Sequence, residues 1–365
     1  MKPLALSSMQ VKNFKAVRNS GRIKLTPLTA FIGHNGSGKS SLVEALETMQ
    51  TIVRLGLDWA MIPWHGFEYI HNLADKGKRQ SLSSVPMSFR LQGRIPSTFK
   101  ARIEISADEQ YDRIAVVKYH SSTSSARLQD SSNFITEDSI VDPNLSEFVR
   151  PWQFLRLDPA SMTEPRPQRR SARTISLDAN GSNVAEYLLA IRDLDSSAFD
   201  GIVDTLKTVI PYGRDLQPTI TSELDRKVYL TLSEENIDRK LPSWLLSSGT
   251  LRILALLAVL RHPAPPSLLV IEEIENGLDP RTIQLLVDEM REFVQSGRGQ
   301  IIITTHSPYF LDLLSLSQIV VVERNENGSP QFIRPDSQKT LANWGRNFAP
   351  GKLYTMGALS RGNAS

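Results

Sequence analysis

The chain contains no cysteine among its 365 residues. This absence excludes a disulfide scaffold, a zinc site built from thiolates and a cysteine nucleophile. It also fits a reducing compartment, and we expect a cytoplasmic protein. The sequence also lacks a heptad array, which excludes a long coiled coil, and the missing cysteines exclude a zinc hook.

Long apolar runs are missing as well. The longest run in the C-terminal half is residues 253–260 (ILALLAVL), far short of the roughly 18 residues of a membrane helix. The first ten residues carry one lysine and no sustained apolar core, unlike a signal peptide. We therefore expect no membrane partner. The net charge of +3 identifies no partner by itself, because only local clustering makes a nucleic-acid site.

The pattern of apolar residues indicates an α/β core with an additional lobe. Apolar residues alternate over 85–92, 99–105 and 114–119, as in half-buried antiparallel strands. Short apolar runs at 268–271 and 301–303 are typical of strands buried on both faces of a parallel sheet. Other predicted elements are strands at 6–14, 23–32, 228–232 and 319–323 and helices starting at Ser40 or covering 183–191, 199–209, 251–260 and 282–294.

A glycine-rich turn follows the predicted strand at 23–32. Residues 33–40 (GHNGSGKS) match G-x-x-x-x-G-K-[ST] at a helix start, a match expected by chance in about one such chain in a hundred. Glycines let backbone N–H groups face a phosphate. We expect Lys39 to reach the β- and γ-phosphates of ATP and Ser40 to bind Mg²⁺. The nucleotide-binding candidates are Gly33, Asn35, Gly36, Ser37, Gly38, Lys39, Ser40 and Ser41.

Two adjacent carboxylates, Glu272 and Glu273, end the predicted strand at 268–271. Groups at this edge of an α/β sheet face a ligand. Neighbouring strand residues point to opposite sides, so we predict Glu272 near Mg²⁺ and Glu273 toward the attacking water as general base. An exposed glutamate pair is the alternative, and it would be preferred if the phosphate loop were absent.

His306 ends the predicted strand at 301–303 after two threonines. This position predicts a hydrogen bond from the imidazole to a γ-phosphate oxygen. A structural role is the alternative, because a lone histidine is more often structural than functional.

A small polar loop, residues 246–250 (LSSGT), opens the apolar helix predicted at 251–260. Its N–H groups and hydroxyls form a second anion-binding helix start, although alone it would be an ordinary cap. One triphosphate does not need two such helix starts from one chain, but two facing chains do. We therefore predict that Ser247, Ser248, Gly249 and Thr250 act on the nucleotide of a second copy.

These elements, in this order, resemble the ABC-type ATPases, and more closely the RecF-like and OLD-type ATPases of bacterial DNA repair and phage defence. The strings that carry the resemblance are VKNFK (11–15), DANGSN (178–183), SGTLR (248–252), IEEIENGLDP (271–280) and THSP (305–308). The resemblance implies Walker A at 33–40, a signature loop at 246–250, Walker B at 268–273, a D-loop with Asn276 and Asp279, and His306 as switch histidine. It further implies ATP and Mg²⁺ as cofactors and a homodimer or higher even oligomer of heads.

The resemblance implies an α/β ABC-ATPase head with a mainly parallel central sheet, an antiparallel β lobe and a helical signature lobe. We expect the N-terminal part of the core at 1–84, an inserted lobe at 85–245, the rest of the core at 246–325 and a C-terminal segment at 326–365. Two features depart from the family pattern. Glu272 stands where aspartate is usual, and none of Gln50, Gln80 and Gln92 fits a Q-loop convincingly.

One charge cluster is a candidate contact with nucleic acid. Residues 150–173 contain six arginines, no lysine and two acidic residues. The candidates within it are Arg166, Arg169, Arg170 and Arg173. The alternative, of equal weight, is a solvated loop that pairs with acidic helices.

Only 59 residues follow His306, too few for a nuclease domain after the strand at 319–323. We therefore expect a separate effector protein, such as a nuclease, held by residues 85–119 or 341–365, in phage defence. The alternatives are the energy subunit of a membrane transporter and a nucleotide-gated DNA-repair scaffold with negligible turnover. The roughly 200 residues between Ser40 and Ser247 exceed what transporter heads usually carry, which disfavours the first.

Overall fold

The computed structural model describes residues 5–72, 86–95, 97–108, 113–123, 126–127, 143–170, 175–337 and 348–359. The chain divides into two compact units. Unit 1 comprises residues 1–152 and 299–365, and unit 2 comprises residues 153–298.

The strands, in chain order, are β1 (Ala5–Phe14), β2 (Val17–Asn19), β3 (Ile23–Lys24), β4 (Leu28–Ile32), β5 (Met87–Ile95), β6 (Ser97–Asp108), β7 (Arg113–Thr123), β8 (Ala126–Arg127), β9 (Trp152–Leu155), β10 (Arg166–Pro167), β11 (Gly213–Ile220), β12 (Lys227–Glu234), β13 (Leu241–Pro242), β14 (Leu268–Ile271), β15 (Gln300–Thr305), β16 (Ile319–Arg324) and β17 (Pro330–Ile333). The helices are α1 (Lys39–Leu55), α2 (Leu57–Met61), α3 (Phe67–Ile70), α4 (Pro143–Val149), α5 (Val184–Leu194), α6 (Ser196–Val209), α7 (Ser248–Leu260), α8 (Pro280–Gln295), α9 (Pro308–Asp312) and α10 (Pro350–Thr355).

Unit 1 contains an antiparallel sheet with the strand order β2-β1-β5-β6-β7-β8, and β3 also pairs with β1. The three stretches with alternating apolar residues form β5, β6 and β7, so the predicted antiparallel lobe is confirmed. Apolar side chains such as Met9, Phe89, Leu91 and Ile103 are buried on one face. The opposite face is polar, as alternation along a strand requires.

Unit 1 also contains four strands of an α/β sheet, with β4 at their centre. β4 pairs in parallel with both β15 and β16, and β17 pairs antiparallel with β16. Every residue of β4 and β15 is buried, as the apolar β-branched runs predict. Ile32 is the register partner of Thr305, so the carboxyl ends of β4 and β15 lie side by side.

Unit 2 combines helices with short strands. β14 lies beside β9, and β11 and β10 flank β12 in a separate antiparallel sheet. All residues of α7 from Leu251 to Leu260 are buried, which agrees with a helix that is apolar on every side. α8 buries one face only, and Asp279 caps its N-terminus.

Two local predictions differ from the structure. The strand predicted at 23–32 is two strands, because β3 joins the antiparallel sheet and β4 the parallel one. Pro27 lies between them and has no N–H for a continuous ladder. The sequence analysis predicted no strand at β11, which has few buried positions, among them Leu216 and Pro218. β11 forms because it pairs antiparallel with β12 over seven positions.

Candidate functional site

The glycine-rich loop between β4 and α1 is shaped by close backbone contacts. A Cβ atom at Gly33 would lie 2.0 Å from the carbonyl oxygen of Val322, so only glycine fits there. Gly38 has φ +112°, and a Cβ there would lie 2.6 Å from the ring of Pro330. Arg324 donates from Nε to the carbonyl oxygen of Gly36 at 2.7 Å. Strand β16 and the residues after it therefore fix the loop conformation.

Lys39 lies across this loop. Its Nζ donates to the carbonyl oxygens of Gly33 at 2.7 Å and of His34 at 3.0 Å, and the residue is only 6% exposed. These contacts hold the ammonium group over the residues that would surround a phosphate. A lysine at this position of a phosphate loop serves as a point charge for the β- and γ-phosphates.

The N-terminus of α1 is open to an anion. The helix has 17 residues, no side-chain cap and no acidic residue in its first turn. Its first N–H groups have no partner within the helix, and its dipole favours negative charge there. Ser40 is exposed, whereas the buried Oγ of Ser37 has no hydrogen-bond partner among the described residues. An unsatisfied buried hydroxyl beside a positive helix end fits a phosphate-binding loop.

His306 lies at the same sheet edge as this loop. It directly follows Thr305, the partner of Ile32, and Ile32 directly precedes Gly33. Ser307 then caps α9 by accepting a hydrogen bond from the N–H of Phe310 at 3.2 Å. Unit 1 therefore brings the phosphate loop and the histidine to neighbouring strand ends.

Glu272 and Arg156 form an ion pair in unit 2 that the sequence did not predict. Arg156 Nε donates to the carboxylate of Glu272, whose side chain is 11% exposed. The N–H of Glu272 also donates to the carbonyl oxygen of Leu155 at 2.9 Å, which extends the pairing of β14 beyond Ile271. The only available signal was the position of Arg156 in the arginine-rich segment.

Glu273 does not continue the strand. Its φ is +48°, in the left-handed region that non-glycine residues rarely adopt, so the predicted strand alternation of the two glutamates is wrong at this residue. Such backbone strain concentrates at functional sites. Asn276 Nδ2 donates to Oε2 of Glu273 at 2.5 Å, and Arg252 Nη1 donates to its carbonyl oxygen at 3.1 Å. The exposed carboxylate is thereby oriented by a residue of the predicted D-loop.

Arg252 connects the predicted signature helix to this turn. It is 8% exposed and also donates from Nη2 to the carbonyl oxygen of Leu157. Burial lowers its pKa, while the nearby charges of Glu273, Glu275 and Asp158 act in the opposite direction. Sequence reasoning assigned it no role although it lies in a string that carries the resemblance.

The signature loop and the D-loop contact each other through glycines. A Cβ at Gly249 would lie 2.7 Å from the carbonyl oxygen of Gly277, whose own φ is +71°. Ser247 caps α7, accepting from the N–H of Thr250 at 3.1 Å, and both Ser247 and Ser248 are exposed. Unit 2 therefore brings together Glu272, Glu273, the signature loop and Asn276.

Asp279 has a structural role that its carboxylate geometry makes plain. It accepts hydrogen bonds from the N–H groups of Arg281 at 2.9 Å and Thr282 at 3.2 Å and from the Thr282 hydroxyl at 2.5 Å. These donors, the hydroxyl first, hold the pKa of Asp279 below its ordinary value. The residue is thus a helix cap with a preferentially ionised carboxylate.

The candidate arginines of the arginine-rich segment differ in their contacts. Arg169 forms ion pairs with Glu186 at 2.9 Å and Asp178 at 3.5 Å, and the hydrogen bond to Glu186 is the first cause that raises its pKa. Arg166 and Arg170 are exposed, and Arg173 lies outside the described residues. A contact of this segment with nucleic acid stays a prediction.

The glutamines considered for a Q-loop have the following contacts. Gln50 is buried and donates to the carbonyl oxygens of Val149 at 2.7 Å and Trp152 at 2.9 Å. Gln92 accepts from Arg22, and Gln80 lies outside the described residues.

The described residues contain no group of three or more His, Asp or Glu that could hold a metal. A nucleotide-bound Mg²⁺ does not require one, because phosphates and water supply most of its ligands.

A family model matches most of the chain. The model described as "AAA domain, putative AbiEii toxin, Type IV TA system" matches residues 28–312. No curated protein matches the chain.

Similar solved structures are head domains of SMC proteins. The Smc head domain with an extended coiled coil, bound to the C-terminal domain of ScpA derived from Pyrococcus furiosus, has a TM-score of 0.62 at 12% identity, covering 94% of this chain and 100% of that one. The head domain with a coiled coil and joint from Pyrococcus yayanosii has a TM-score of 0.60 at 11% identity, covering 94% and 100%. An SmcHead bound to the C-winged helix domain of ScpA has a TM-score of 0.61 at 14% identity, covering 90% and 96%. At this identity the likeness shows the fold alone, and the predicted α/β head with a mainly parallel central sheet and antiparallel sheets is confirmed.

Proposed function

This chain belongs to the AAA-domain family whose model covers residues 28–312, and we propose that it is an ATPase head that binds ATP with Mg²⁺ and hydrolyses it. Membership of a P-loop ATPase family implies nucleotide binding. Hydrolysis is our inference from the carboxylates that follow β14.

The loop around Lys39 carries the proposal. Two glycines approach backbone or ring atoms too closely for any side chain, and Lys39 is held over the loop by two carbonyl oxygens. The uncapped start of α1 adds positive potential at the same place. Ser40 would hold Mg²⁺ together with the phosphates, and Glu272 would contribute through water molecules bound to the ion. Bound Mg²⁺ would neutralise charge on the phosphates during transfer.

Glu273 is the general base in this proposal. Its exposed carboxylate accepts a hydrogen bond from Asn276, which orients it, and in this proposal the carboxylate takes a proton from the attacking water. His306 would donate to the γ-phosphate, because it follows the strand next to β4.

A second copy of the chain would complete each nucleotide site. The exposed hydroxyls of Ser247 and Ser248 lie at the N-terminus of α7, a helix start that can bind an anion. Trp244 and Leu245, immediately before them, are 52% and 54% exposed, an unusual position for large apolar side chains. Both features support pairing of heads through this loop.

The finer assignment is to the RecF-like and OLD-like ATPases of phage defence, acting with a separate effector. The family description names a toxin of a type IV toxin–antitoxin system, which supports a role in defence. Two similar SMC heads are bound to domains of a separate protein, ScpA, which supports an effector that reads the state of the head. No helix among the described residues is long and apolar enough to cross a membrane.

The packing of the C-terminal segment bears on where an effector could bind. The N–H of Gly351 donates to Asp312 at 2.6 Å, and a Cβ at Gly351 would lie 2.0 Å from the carbonyl oxygen of Pro308. Leu353 and Leu359 are fully buried. Residues 348–359 are therefore part of unit 1, and Trp344 lies outside the described residues. Of the two segments predicted to hold an effector, residues 85–119 and 341–365, the second is thus partly packed on its own head.

The test is nucleotide binding by calorimetry. Lys39→Ala should abolish ATP binding, because its ammonium group is the charge that the loop offers to the phosphates. Lys207→Ala is the matched control, because Lys207 is exposed on α6 and its ion-pair partner among the described residues is the exposed Asp204, at 2.9 Å. A Lys39→Ala protein that stays folded and binds ATP as tightly as the wild type would refute the proposal.

A further inference from the structure

The polar face of the antiparallel sheet in unit 1 is strongly basic. Two rows of register partners cross β1, β5 and β6 on this face. The rows are Gln10–Arg90–Arg102 and Ser8–Gln92–Lys100. Arg22 reaches the second row, donating from Nε to Ser8 at 3.1 Å and from Nη2 to Gln92 at 2.8 Å.

Arg90 of β5 and Arg102 of β6 are direct register partners on neighbouring antiparallel strands. Like charges in directly opposed positions of an antiparallel pair are destabilising. The Nε atoms of both arginines are shielded from solvent, and neither has a hydrogen-bond partner among the described residues. Two opposed guanidinium groups with unsatisfied donors indicate that an anion belongs between or above them.

The same residues line a concave surface. The cavity has a volume of about 290 Å³, and its lining includes Arg22, Arg90, Lys100 and Arg102 and no acidic residue among those that the structure describes. Glu104, beside the cavity, forms an ion pair with Arg102. One carboxylate cannot neutralise four cations, so the face keeps a net positive charge.

We propose that this basic sheet face binds the phosphate backbone of a nucleic acid. Arg90 lies on β5, Lys100 and Arg102 lie on β6, and Arg22, just before β3, reaches Ser8 on β1. Adjacent strands lie about 4.8 Å apart, so the surface from β1 to β6 extends over about 10 Å, more than a single phosphate covers. The donors are mainly arginines, whose planar fork suits phosphate oxygens. A backbone-binding surface of this kind positions the polymer without reading its sequence.

This site is distinct from the arginine-rich segment of unit 2. There, Arg169 is already paired with two carboxylates. On the sheet face, by contrast, the pairing of strands creates the charge excess and leaves two Nε donors unsatisfied. The inference is also independent of ATP, because none of the four cations lies in the phosphate loop.

The experiment measures affinity for a fluorescent DNA duplex by anisotropy over a range of salt concentrations, without nucleotide. Arg90→Gln combined with Arg102→Gln should weaken binding at least tenfold in low salt. It should also reduce the slope of log K against log salt by about 1.8, since each phosphate contact contributes about 0.9 on duplex DNA. Arg90→Gln alone should produce about half of that reduction in slope. This single substitution also removes the opposition of like charges between β5 and β6, so the sheet should stay folded.

The control is Arg214→Gln combined with Arg239→Gln, which removes two exposed arginines of unit 2 that belong to neither candidate nucleic-acid surface. Wild-type slope and affinity in this control, together with the losses in the sheet variants, support the proposal. An unchanged slope in both sheet variants overturns it, as does a loss confined to the unit 2 variant. Loss of binding to polyglutamate with unchanged DNA binding also overturns it, because the occupant would then be an acidic protein. Repeating the titration with Lys39→Ala keeps the result separate from any failure of ATP binding.

Discussion

Arg156 holds the carboxylate of Glu272 from a position 116 residues earlier in the chain. The backbone supports the same arrangement, because the N–H of Glu272 donates to Leu155, the residue before Arg156. The first carboxylate after β14 is thus fixed in position by a guanidinium group and by the backbone. If Glu272 faces a hydrated cation as proposed, it gains from this orientation.

The ion pair should contribute to the stability of unit 2. Arg156→Ala leaves the largely buried carboxylate of Glu272 without its charged partner, so unfolding free energy should fall by about 1–3 kcal/mol. Arg156→Ala with Glu272→Gln should cost less than the sum of the single changes, because the pair then disappears as a whole. Urea unfolding of the four proteins in the cycle measures this. As a control, Arg166→Ala, at an exposed arginine of β10, should change the free energy of unfolding by less than about 0.5 kcal/mol. If the effects of Arg156→Ala and Glu272→Gln were strictly additive, the prediction would be contradicted.

Glu273→Gln should separate binding from turnover. The substitution retains the shape of the side chain but removes the base, so ATP hydrolysis should fall by roughly 10² to 10⁴ while ATP affinity survives. Steady-state phosphate release and calorimetry give the two quantities. If Glu272→Gln stops hydrolysis and Glu273→Gln does not, the roles of the two carboxylates are reversed.

Mixed heads should recover activity. Lys39→Ala disables the phosphate loop of one chain, and Ser248→Arg blocks the signature loop that would serve its partner. In a mixed dimer one composite site carries both defects and the other carries neither, so partial ATPase activity should return. Mixing differently tagged chains and purifying the mixed species tests this. Heterodimers without any recovered turnover would argue against a signature loop that acts in trans.

The stability that the Asp279 cap gives to α8 should depend on pH. Asp279→Ala should cost about 1 kcal/mol at pH 7 through the loss of the N-cap. The folded state lowers the pKa of Asp279 from 3.8, so the ionic contribution is complete above that value and is lost as pH falls through the lower folded pKa. The difference between wild type and Asp279→Asn in thermal unfolding should therefore shrink below pH 3.8. A difference that stays constant down to pH 2 would contradict this assignment.

Local patterns in the sequence predicted much of the fold. The phosphate loop was found because its glycines and Lys39 act at fixed spacing between a strand and a helix. β14 and β15 were found because their apolar β-branched residues are buried on both faces. α7 began at Ser248 rather than at the first apolar residue, since Ser247 is its cap.

Non-local and strained features could not be predicted in this way. The pairing of Arg156 with Glu272 depends on how β9 and β14 come together, and no pattern within either string reports it. The left-handed backbone of Glu273 contradicts the strand periodicity from which its orientation was inferred. Similarly, Arg90 and Arg102 are unremarkable in the sequence, and their opposition appears only once the register of β5 and β6 is known.

The register of β4 and β15 determines how His306 is aligned with the phosphate loop. His306 and Gly33 each follow one residue of the Ile32–Thr305 pair, so the distance from the imidazole to the loop is set by strand pairing. A slip of one residue would displace the histidine by about 3.3 Å, roughly the length of a hydrogen bond. Substitutions at the fully buried Ile301, Ile302 or Ile303 can thus behave like defects in catalysis although they touch no nucleotide. The buried strand pairing of unit 1 would thus set the distance between His306 and the phosphate loop.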